Sequence, residues 1–168
     1  MTLVGERVLW HFAEARTDTD LVRASVWLEQ LAVLCYERGA GGLTGAEREL
    51  AERFAGHERA HATAMETVLQ GLTVTVRNRP VGEDVDWHLP GLGTGPRERT
   101  LEQLAELEGW MLAGYRDMVR RTTELAILRS AGGVMAGAAQ HLAVLRDALG
   151  RPAAPSAFER GGGLPGRP

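Results

Sequence analysis

Hydrophobic positions recur at the three- and four-residue spacing of an amphipathic helix along four long segments of the chain. Capping residues precede these segments and glycine or turn residues follow them, which are common signals of helix ends. The chain is also rich in Ala and Leu and only 5% aromatic, which favours helices. The pattern predicts four helices, at about residues 19–38, 44–70, 100–121 and 124–149.

Local sequence sets the expected ends of these helices. Thr44 and Glu47 have the spacing of a capping box, in which each side chain accepts a hydrogen bond from the other residue's backbone N–H, and Thr100 and Gln103 repeat that spacing. Gly132-Gly133 falls inside the fourth helix, where each glycine is less favourable than alanine by about 1 kcal/mol. We therefore expect well-defined starts for the second and third helices and a weak point within the fourth.

The connections between the helices differ in length. About five residues join the first helix to the second, and fewer join the third to the fourth, which predicts two antiparallel hairpins. The connection between the hairpins is long and contains three prolines, and its segment 73–76 could form a short extended piece. These features predict an all-α fold: an antiparallel four-helix bundle of two helical hairpins joined by a long crossover.

Both ends of the chain differ in composition from the bundle. We assign the bundle to residues 18–150, with the crossover at 71–99. Residues 1–17 are predicted to form an N-terminal accessory segment with a short helix, and residues 151–168, rich in Pro and Gly, an extended or disordered tail. The apolar face of the accessory helix consists of Val4, Val8, Leu9 and Phe12.

Composition and charge narrow the classes of function. The 168 residues are 44% hydrophobic with a net charge of -3, so nothing in the charge pattern suits nucleic acid or an anionic membrane. No apolar run reaches the roughly 18 residues of a membrane span, and no signal-peptide pattern is seen, so we expect a cytoplasmic protein. The single cysteine, Cys35, excludes a disulfide framework and multi-cysteine metal sites, and we expect it in the core.

An internal repeat relates the two predicted hairpins. Glu29 and Tyr36 lie seven residues apart on the first helix, and Glu108 and Tyr115 repeat this pair 79 positions later on the third. Each tyrosine lies two turns from its glutamate, where its hydroxyl could bind a carboxylate, relay electrons or simply reach another packing partner. The two halves of the chain therefore look like copies of one helical hairpin.

Five ionisable side chains fall on the apolar stripes of the four helices. They are Glu29, Glu58, His61, Glu108 and His141. A buried ionised carboxylate is unfavourable unless it is neutralised or paired, and no arginine lies on these stripes. A proton-sharing network or a bound cation would each satisfy these groups. We favour a metal ion, because carboxylate and imidazole ligands without thiolate are typical of iron or manganese sites.

This pattern resembles that of the ferritin-like superfamily, in which two helices each provide a glutamate and two provide Glu-x-x-His. The chain is most similar to the small bacterial ferritin-like domain proteins, many of them from actinobacteria. The resemblance implies that Glu29, Glu58 and His61 hold a first metal ion. Glu108 and His141 would hold a second ion, with Glu58 bridging the two.

The second Glu-x-x-His motif is degenerate, because its glutamate position is Ala138. Water, Gln140 or another carboxylate would have to replace the missing bridging ligand, and the number of ions stays open between two, one and none. The resemblance implies a metal-binding protein, a candidate non-haem di-iron-type oxidoreductase that uses iron or manganese and acts on dioxygen or peroxide. The alternative is a non-enzymatic helical-bundle interaction protein with a metal-free site.

A zinc site is a further alternative. His57 precedes His61 by four residues on the second helix, so the two could bind zinc together with His141. The simpler interpretation of His57 is a solvated histidine at the edge of the apolar stripe.

The first helix also carries a second apolar face, opposite Glu29. This face consists of Trp27, Leu31 and Leu34. It needs a cover, which the N-terminal segment, the crossover or a second subunit could provide. A homodimer is therefore one expected assembly.

Overall fold

Helices form all the regular secondary structure of this computed structural model, which describes residues 9–76 and 78–156. In chain order they are α1 (Trp10–Glu14), α2 (Asp18–Gly41), α3 (Gly45–Gly71), α4 (Gly82–His88), α5 (Arg97–Arg121) and α6 (Leu125–Ala148). The predicted all-α class is confirmed. None of these described helices combines the length and apolar character that crossing a membrane requires.

Each long helix packs on its neighbour in the chain. Residues 42–44 join α2 to α3, and residues 122–124 join α5 to α6. Connections this short return the chain antiparallel to the preceding helix. In addition α2 packs on α5, and α3 packs on α6, which closes the bundle. The predicted bundle of two hairpins joined by a crossover is thereby confirmed.

Aliphatic side chains from all four long helices fill the interior. Each contributes about 1.5–3 kcal/mol when fully buried. Fully buried members include Leu28, Leu31, Met65, Leu104 and Met111. This apolar core surrounds a polar centre at mid-bundle, so the charged groups there are held in a rigid, water-poor environment.

The helix ends follow the predicted chemistry only in part. At the start of α2, Thr17 accepts a hydrogen bond from the backbone N–H of Asp20, and the Asp20 carboxylate accepts one from Thr17. Thr44 caps α3 without a side-chain hydrogen bond. Its predicted partner, Glu47, instead binds Arg97 across the bundle, with 2.8 Å between Arg97 Nε and Glu47 Oε1. The capping box predicted there is wrong, because an ion pair uses the carboxylate.

The second predicted capping box is wrong as well. Helix α5 begins at Arg97, so Thr100 lies inside the helix and is buried. The side-chain amide of Gln103 donates to the carbonyl of Pro90 at 3.1 Å instead of capping. Pro96 is the N-cap, and the residue before a helix tolerates proline because its N–H needs no partner there.

Helix α6 runs unbroken through Gly132 and Gly133, so the predicted weak point does not interrupt the helix. Ala131 and Val134, on either side of the glycine pair, are buried in the core. Tertiary packing of this apolar face outweighs the low helix propensity of the two glycines.

The crossover is anchored at the end of α2. Gly42 and Gly93 lie so close together that a Cβ on Gly42 would collide with the backbone of Gly93. Gly93 also has φ +78°, which disfavours other residues. Within the described residues, segment 73–76 forms no strand, and its first residue, Thr73, has φ 59°. The short extended piece that the sequence suggested therefore does not pair as a β-strand within the described residues.

The outer face of α2 is covered from within the chain. The ring of Trp27 lies 4.7 Å from that of His11 of α1 and 5.8 Å from that of His88 of α4, measured between centroids. Leu31 is fully buried. Both the N-terminal segment and the crossover therefore cover part of this face, and Trp27 and Leu34 stay half-buried.

The terminal segments are described only in part. Leu9 and Phe12, two members of the predicted apolar face of the accessory helix, are buried. Val4 and Val8, the other two, lie outside the described residues. Of the predicted tail, residues 151–156 are described and contain no helix, and the remainder lies outside the described residues as well.

Candidate metal centre

The five polar residues selected from the sequence meet at the centre of the bundle. They form two groups that share Glu58: one with Glu29 and His61, the other with Glu108 and His141. Within each group, one potential ligand atom per residue lies within 4.8 Å of those of the other two. Four separate helices thus bring three carboxylates and two imidazoles to one place.

Burial is nearly complete at this centre. The three glutamates have no exposed surface, and His141 is 3% exposed. The side chain of His61 is 20% exposed, so it forms the edge of the site that is nearest to solvent. Electrostatic interactions between these groups are consequently much stronger than between surface charges.

Both histidines direct Nδ1 at the carboxylates. His61 Nδ1 lies 3.0 Å from Glu58 Oε2 and 3.6 Å from Glu29 Oε2. His141 Nδ1 lies 2.8 Å from Glu58 Oε1 and 3.1 Å from Glu108 Oε1. Glu58 therefore stands between the two imidazoles, with one oxygen facing each.

Two buried tyrosines support the outer glutamates. The hydroxyl of Tyr115 donates to Glu29 Oε1 at 2.5 Å, and the hydroxyl of Tyr36 donates to Glu108 Oε1. Each tyrosine belongs to the opposite hairpin from the glutamate that it binds. The two contacts repeat between the hairpins as the two Glu–Tyr pairs repeat in the sequence, and the expected contact of each tyrosine hydroxyl with a carboxylate is present.

Three carboxylate oxygens at the centre lack a hydrogen-bond donor. These atoms are Glu29 Oε2, Glu58 Oε1 and Glu108 Oε2, all buried. Glu58 Oε1 is close to His141 Nδ1, but the pair is not aligned for a hydrogen bond. Buried polar atoms normally have partners, so three unsatisfied oxygens at a centre that also contains two imidazoles fit a bound cation.

The electrostatics separate the three carboxyl groups. Burial alone would raise the pKa of Glu58, but its close contacts with the imidazoles of His141 and His61 outweigh burial and lower the pKa to about 2. Burial raises the pKa of Glu29 well above its ordinary value and that of Glu108 to about 7, and the charge of Glu58 reinforces both shifts. Glu58 is therefore the most readily ionised of the three carboxyl groups.

The two histidines respond to the same carboxylates. Burial acts to lower the pKa of each, but the nearby carboxylates of Glu29 and Glu58 raise the pKa of His61 to about 10. The carboxylates of Glu108 and Glu58 likewise raise the pKa of His141 to about 9. Each Nδ1 therefore carries a proton at neutral pH, which a metal ion would have to displace.

Ala138 is fully buried and provides no ligand. Gln140, one substitute considered from the sequence, is exposed and belongs to neither group. Within the described residues, no further carboxylate joins the two groups. The position of the second bridging glutamate is therefore not replaced by another side chain of the described chain.

The sequence predicted His57 at the edge of the apolar stripe, and it is exposed in the structure, but its contact with His141 was missed. Its Nδ1 lies 2.9 Å from Nε2 of His141, and Phe54 stacks on the same imidazole with 3.8 Å between ring centroids. Burial and the nearby His141 and His61 lower the pKa of His57, which favours its neutral form. His57 joins neither group of potential ligands, so the described residues do not form the three-histidine zinc site. Pairing across helices has no signal in the spacing along one helix.

Solved structures share this architecture. A hypothetical protein from Methanococcus jannaschii superposes with a TM-score of 0.74 at 17% sequence identity, covering 87% of this chain and 89% of its own. A dodecameric thioferritin, the bacterioferritin-related protein of Bacteroides fragilis, superposes with a TM-score of 0.66 at 20% identity, covering 86% of this chain and 92% of its own. At these identities the likeness establishes the fold alone.

Sequence comparison completes the assignment. No curated protein matches this sequence. Residues 17–151, which include the four long helices and all five polar residues at the centre, match the family described as the ferritin-like domain. This chain therefore belongs to the ferritin-like domain family.

Proposed function

We propose that this protein binds iron or manganese at the centre of its bundle and acts as a non-haem oxidoreductase on dioxygen or peroxide. The observation that carries the proposal is the set of three buried carboxylate oxygens without a donor, on glutamates whose carboxylates the Nδ1 atoms of two histidines also approach. Oxygen and imidazole ligands without thiolate suit these metals. The ion would supply the redox chemistry with the oxidant.

The ligands divide into two sets around Glu58. Glu29, Glu58 and His61 would hold one ion, and Glu58, Glu108 and His141 the other. The missing carboxylate at position 138 leaves each ion with two carboxylates and one imidazole, and thus with open positions for water or an oxidant.

The surrounding residues prepare the site for this role. Tyr36 and Tyr115 orient Glu108 and Glu29 through their hydroxyl groups. The raised pKa values of Glu29 and Glu108 favour their protonated forms, and a bound cation would displace those protons. The apolar core excludes bulk water, which strengthens each interaction with the charged centre.

Anaerobic reconstitution tests the proposal. The purified protein is incubated with ferrous or manganous ion, freed of excess metal, and measured by elemental analysis beside Glu58→Gln and Glu52→Gln variants. We expect about one to two ions per chain in the wild type and in Glu52→Gln, whose exposed side chain lies on the same helix. Glu58→Gln should retain none. A wild-type protein without metal would contradict the proposal.

Oxidation of the loaded protein tests the finer claim. Ferrous-loaded protein mixed with dioxygen or peroxide should oxidise its iron faster than free ferrous ion does under the same conditions, and Glu58→Gln should not. Equal rates in the presence and absence of the protein would leave a metal-binding protein without the proposed oxidoreductase activity.

The second candidate is a non-enzymatic interaction protein with a protonated network in place of metal. The observation in its favour is that the two histidines and Glu58 already form close ionic contacts by themselves. This candidate predicts thermal stability that does not respond to iron, manganese or chelator. It also predicts that Glu58→Leu leaves the folding stability unchanged or raises it, because apolar residues can often replace a buried ion pair without loss of stability.

A cytoplasmic homodimer is also proposed. In its favour, Trp10, Val81 and Trp87 expose 53%, 56% and 62% of their surfaces near the N-terminal segment and the crossover. Light scattering of the purified protein tests the assembly, and fractionation of cells tests the location. A monomer or a large cage, such as the dodecamer of the thioferritin relative, would replace the dimer.

A further inference from the structure

A side chain outside the proposed ligand set contacts the more deeply buried histidine of the site. We propose that His57 is a positioning residue for His141: it accepts a hydrogen bond from Nε2–H of His141 and thereby directs the Nδ1 lone pair of His141 to the ion held by Glu58 and Glu108. This inference rests on the proposed function, because it concerns the affinity of one of the two sets of ligands. Neither set of potential ligands among the described residues includes His57 itself.

The first argument is that both ring nitrogens of His141 have a close polar partner. Nδ1 faces Glu58 at 2.8 Å and Glu108 at 3.1 Å, and Nε2 lies 2.9 Å from Nδ1 of His57. The ring face stacks on Phe54. Two imidazole nitrogens at 2.9 Å require one donor and one acceptor. With Nδ1 of His141 committed to the ion, Nε2 must carry the proton and His57 must accept it.

The second argument comes from the repeat. Gly137 lies eighty positions after His57 and is its counterpart in the second hairpin. Just as His57 lies beside His141, Gly137 lies beside His61. A Cβ on Gly137 would come within 2.8 Å of Cε1 and 3.0 Å of Nε2 of His61. Each hairpin therefore places this position against the outer edge of the other hairpin's histidine, but only His57 offers a hydrogen-bond partner there.

The third argument is the location of His57. It is exposed on α3, so its ring adds little to the apolar core, yet its Nδ1 is directed at a nearly buried imidazole. A partner on the outer nitrogen of a metal-bound histidine fixes the tautomer and raises the basicity of the ligand. His57 can therefore tune the second set of ligands while leaving the fold unaffected.

Metal titration of matched variants tests the inference. Cobaltous ion, whose visible absorption reports its ligand geometry, is titrated into the wild type, His57→Ala, His57→Gln and Thr67→Ala. We expect His57→Ala to weaken the ion at Glu108 and His141 by about 10–100-fold. His57→Gln, whose amide oxygen can still accept, should restore most of this loss. Thr67→Ala, exposed on the same helix, should bind like the wild type.

A double variant separates positioning from a general effect. In a His141→Ala background, His57→Ala should cause no further loss of affinity, because its only route to the ion is through His141. Equal binding by the wild type and His57→Ala would overturn the inference. An equal loss in the presence and absence of His141 would overturn it too.

A measurement on the metal-free protein keeps this inference distinct from the proposed function. Long-range proton–nitrogen NMR spectra should show a protonated Nε2 on His141 whose resonance shifts in His57→Ala but not in Thr67→Ala. An unshifted resonance would refute the hydrogen bond even if the wild type binds metal. Failure of the wild type to bind cobalt, iron or manganese would instead refute the proposed function, and with it the role of His57 in metal affinity.

Discussion

The two hairpins of the bundle carry the same supporting residues but unequal ligand sets. Helices α2 and α3 contribute two glutamates and a histidine to the centre, whereas α5 and α6 contribute one of each. The tyrosine hydrogen bonds are exchanged in both directions, so each outer carboxylate accepts from a tyrosine of the other hairpin. The difference lies where the first hairpin has Glu58 and the second has Ala138.

The hairpin with fewer ligands has the histidine with more contacts around its ring. His141, from the hairpin that lacks a carboxylate, is 3% exposed and contacts both His57 and Phe54. His61 is more exposed, and Gly137 offers its outer edge no polar partner. The two hairpins therefore share their helices and their Glu–Tyr pairs, but differ in the ligands and in the residues that contact the two histidines.

Restoring the missing carboxylate is the strongest way to remove the difference between the hairpins. Ala138→Glu should raise the affinity for a second ion by about 100-fold or more, since a direct ligand exceeds the 10–100-fold effect of an outer partner. Without metal the same variant should lose about 3 kcal/mol of unfolding free energy, because it buries an uncompensated carboxylate. Calorimetric titration and chemical denaturation, with and without manganese, measure the two effects. Unchanged metal binding would contradict a two-ion site.

The pH dependence sharpens the comparison because the two histidines differ in pKa. Metal must displace a proton from His141, with a pKa of about 9, and from His61, with a pKa of about 10. Affinity should therefore rise by roughly tenfold per pH unit for each proton released below these values. Manganese titrations between about pH 6 and pH 10 measure the slope. A flat profile would exclude displacement of the Nδ1 protons.

The metal-free protein should respond to pH in the opposite sense. Both folded-state pKa values are raised above the ordinary histidine value of 6.5, so the histidine contribution to stability is complete below that pH. It should be lost as pH rises through about 9 for His141 and about 10 for His61. Thermal unfolding in the presence of chelator measures this loss. His141→Gln should reduce this loss and leave the part that His61 contributes.

A smaller effect is expected where the second hairpin touches the first histidine. Gly137→Ala introduces a Cβ within 2.8 Å of His61, which should displace this ring and weaken the ion at Glu29, Glu58 and His61. Gly133→Ala is the matched control, because nothing lies within 4 Å of its Cβ. The control should gain about 0.5–1 kcal/mol of stability from helix propensity, with normal metal binding. Similar behaviour of both variants would contradict the contact with His61.

A moderate loss of stability should come from removing either tyrosine hydroxyl. Tyr115→Phe leaves Glu29 Oε1 without its donor, which destabilises by about 1–3 kcal/mol. Tyr36→Phe removes one of two donors from Glu108 Oε1, because His141 Nδ1 lies 3.1 Å from the same oxygen. Tyr115→Phe should therefore lose more stability than Tyr36→Phe in chemical denaturation, and equal losses would contradict the second contact of Glu108 Oε1.

The helices and the inward polar positions could be predicted from periodicity alone. Glu58, for example, lies on the stripe formed by Phe54, Met65 and Leu69, and all four are buried in the structure. The helix starts could not be predicted as well. Glu47 has the spacing of a capping residue but binds Arg97 of α5, a partner 50 residues away. Local spacing shows which hydrogen bonds a side chain can form, but a partner that is distant in sequence can form a competing ion pair.

What the sequence by itself determined is therefore the set of amphipathic helices, their pairing into hairpins, and the five polar residues on the inner faces. These follow from the roughly 3.6-residue period, which acts over one or two turns. The rotation of each helix about its axis and its contacts across the bundle were decided only by tertiary packing. That packing exchanges Tyr36 and Tyr115 between hairpins, sets Glu58 between two imidazoles, and brings His57 to Nε2 of His141.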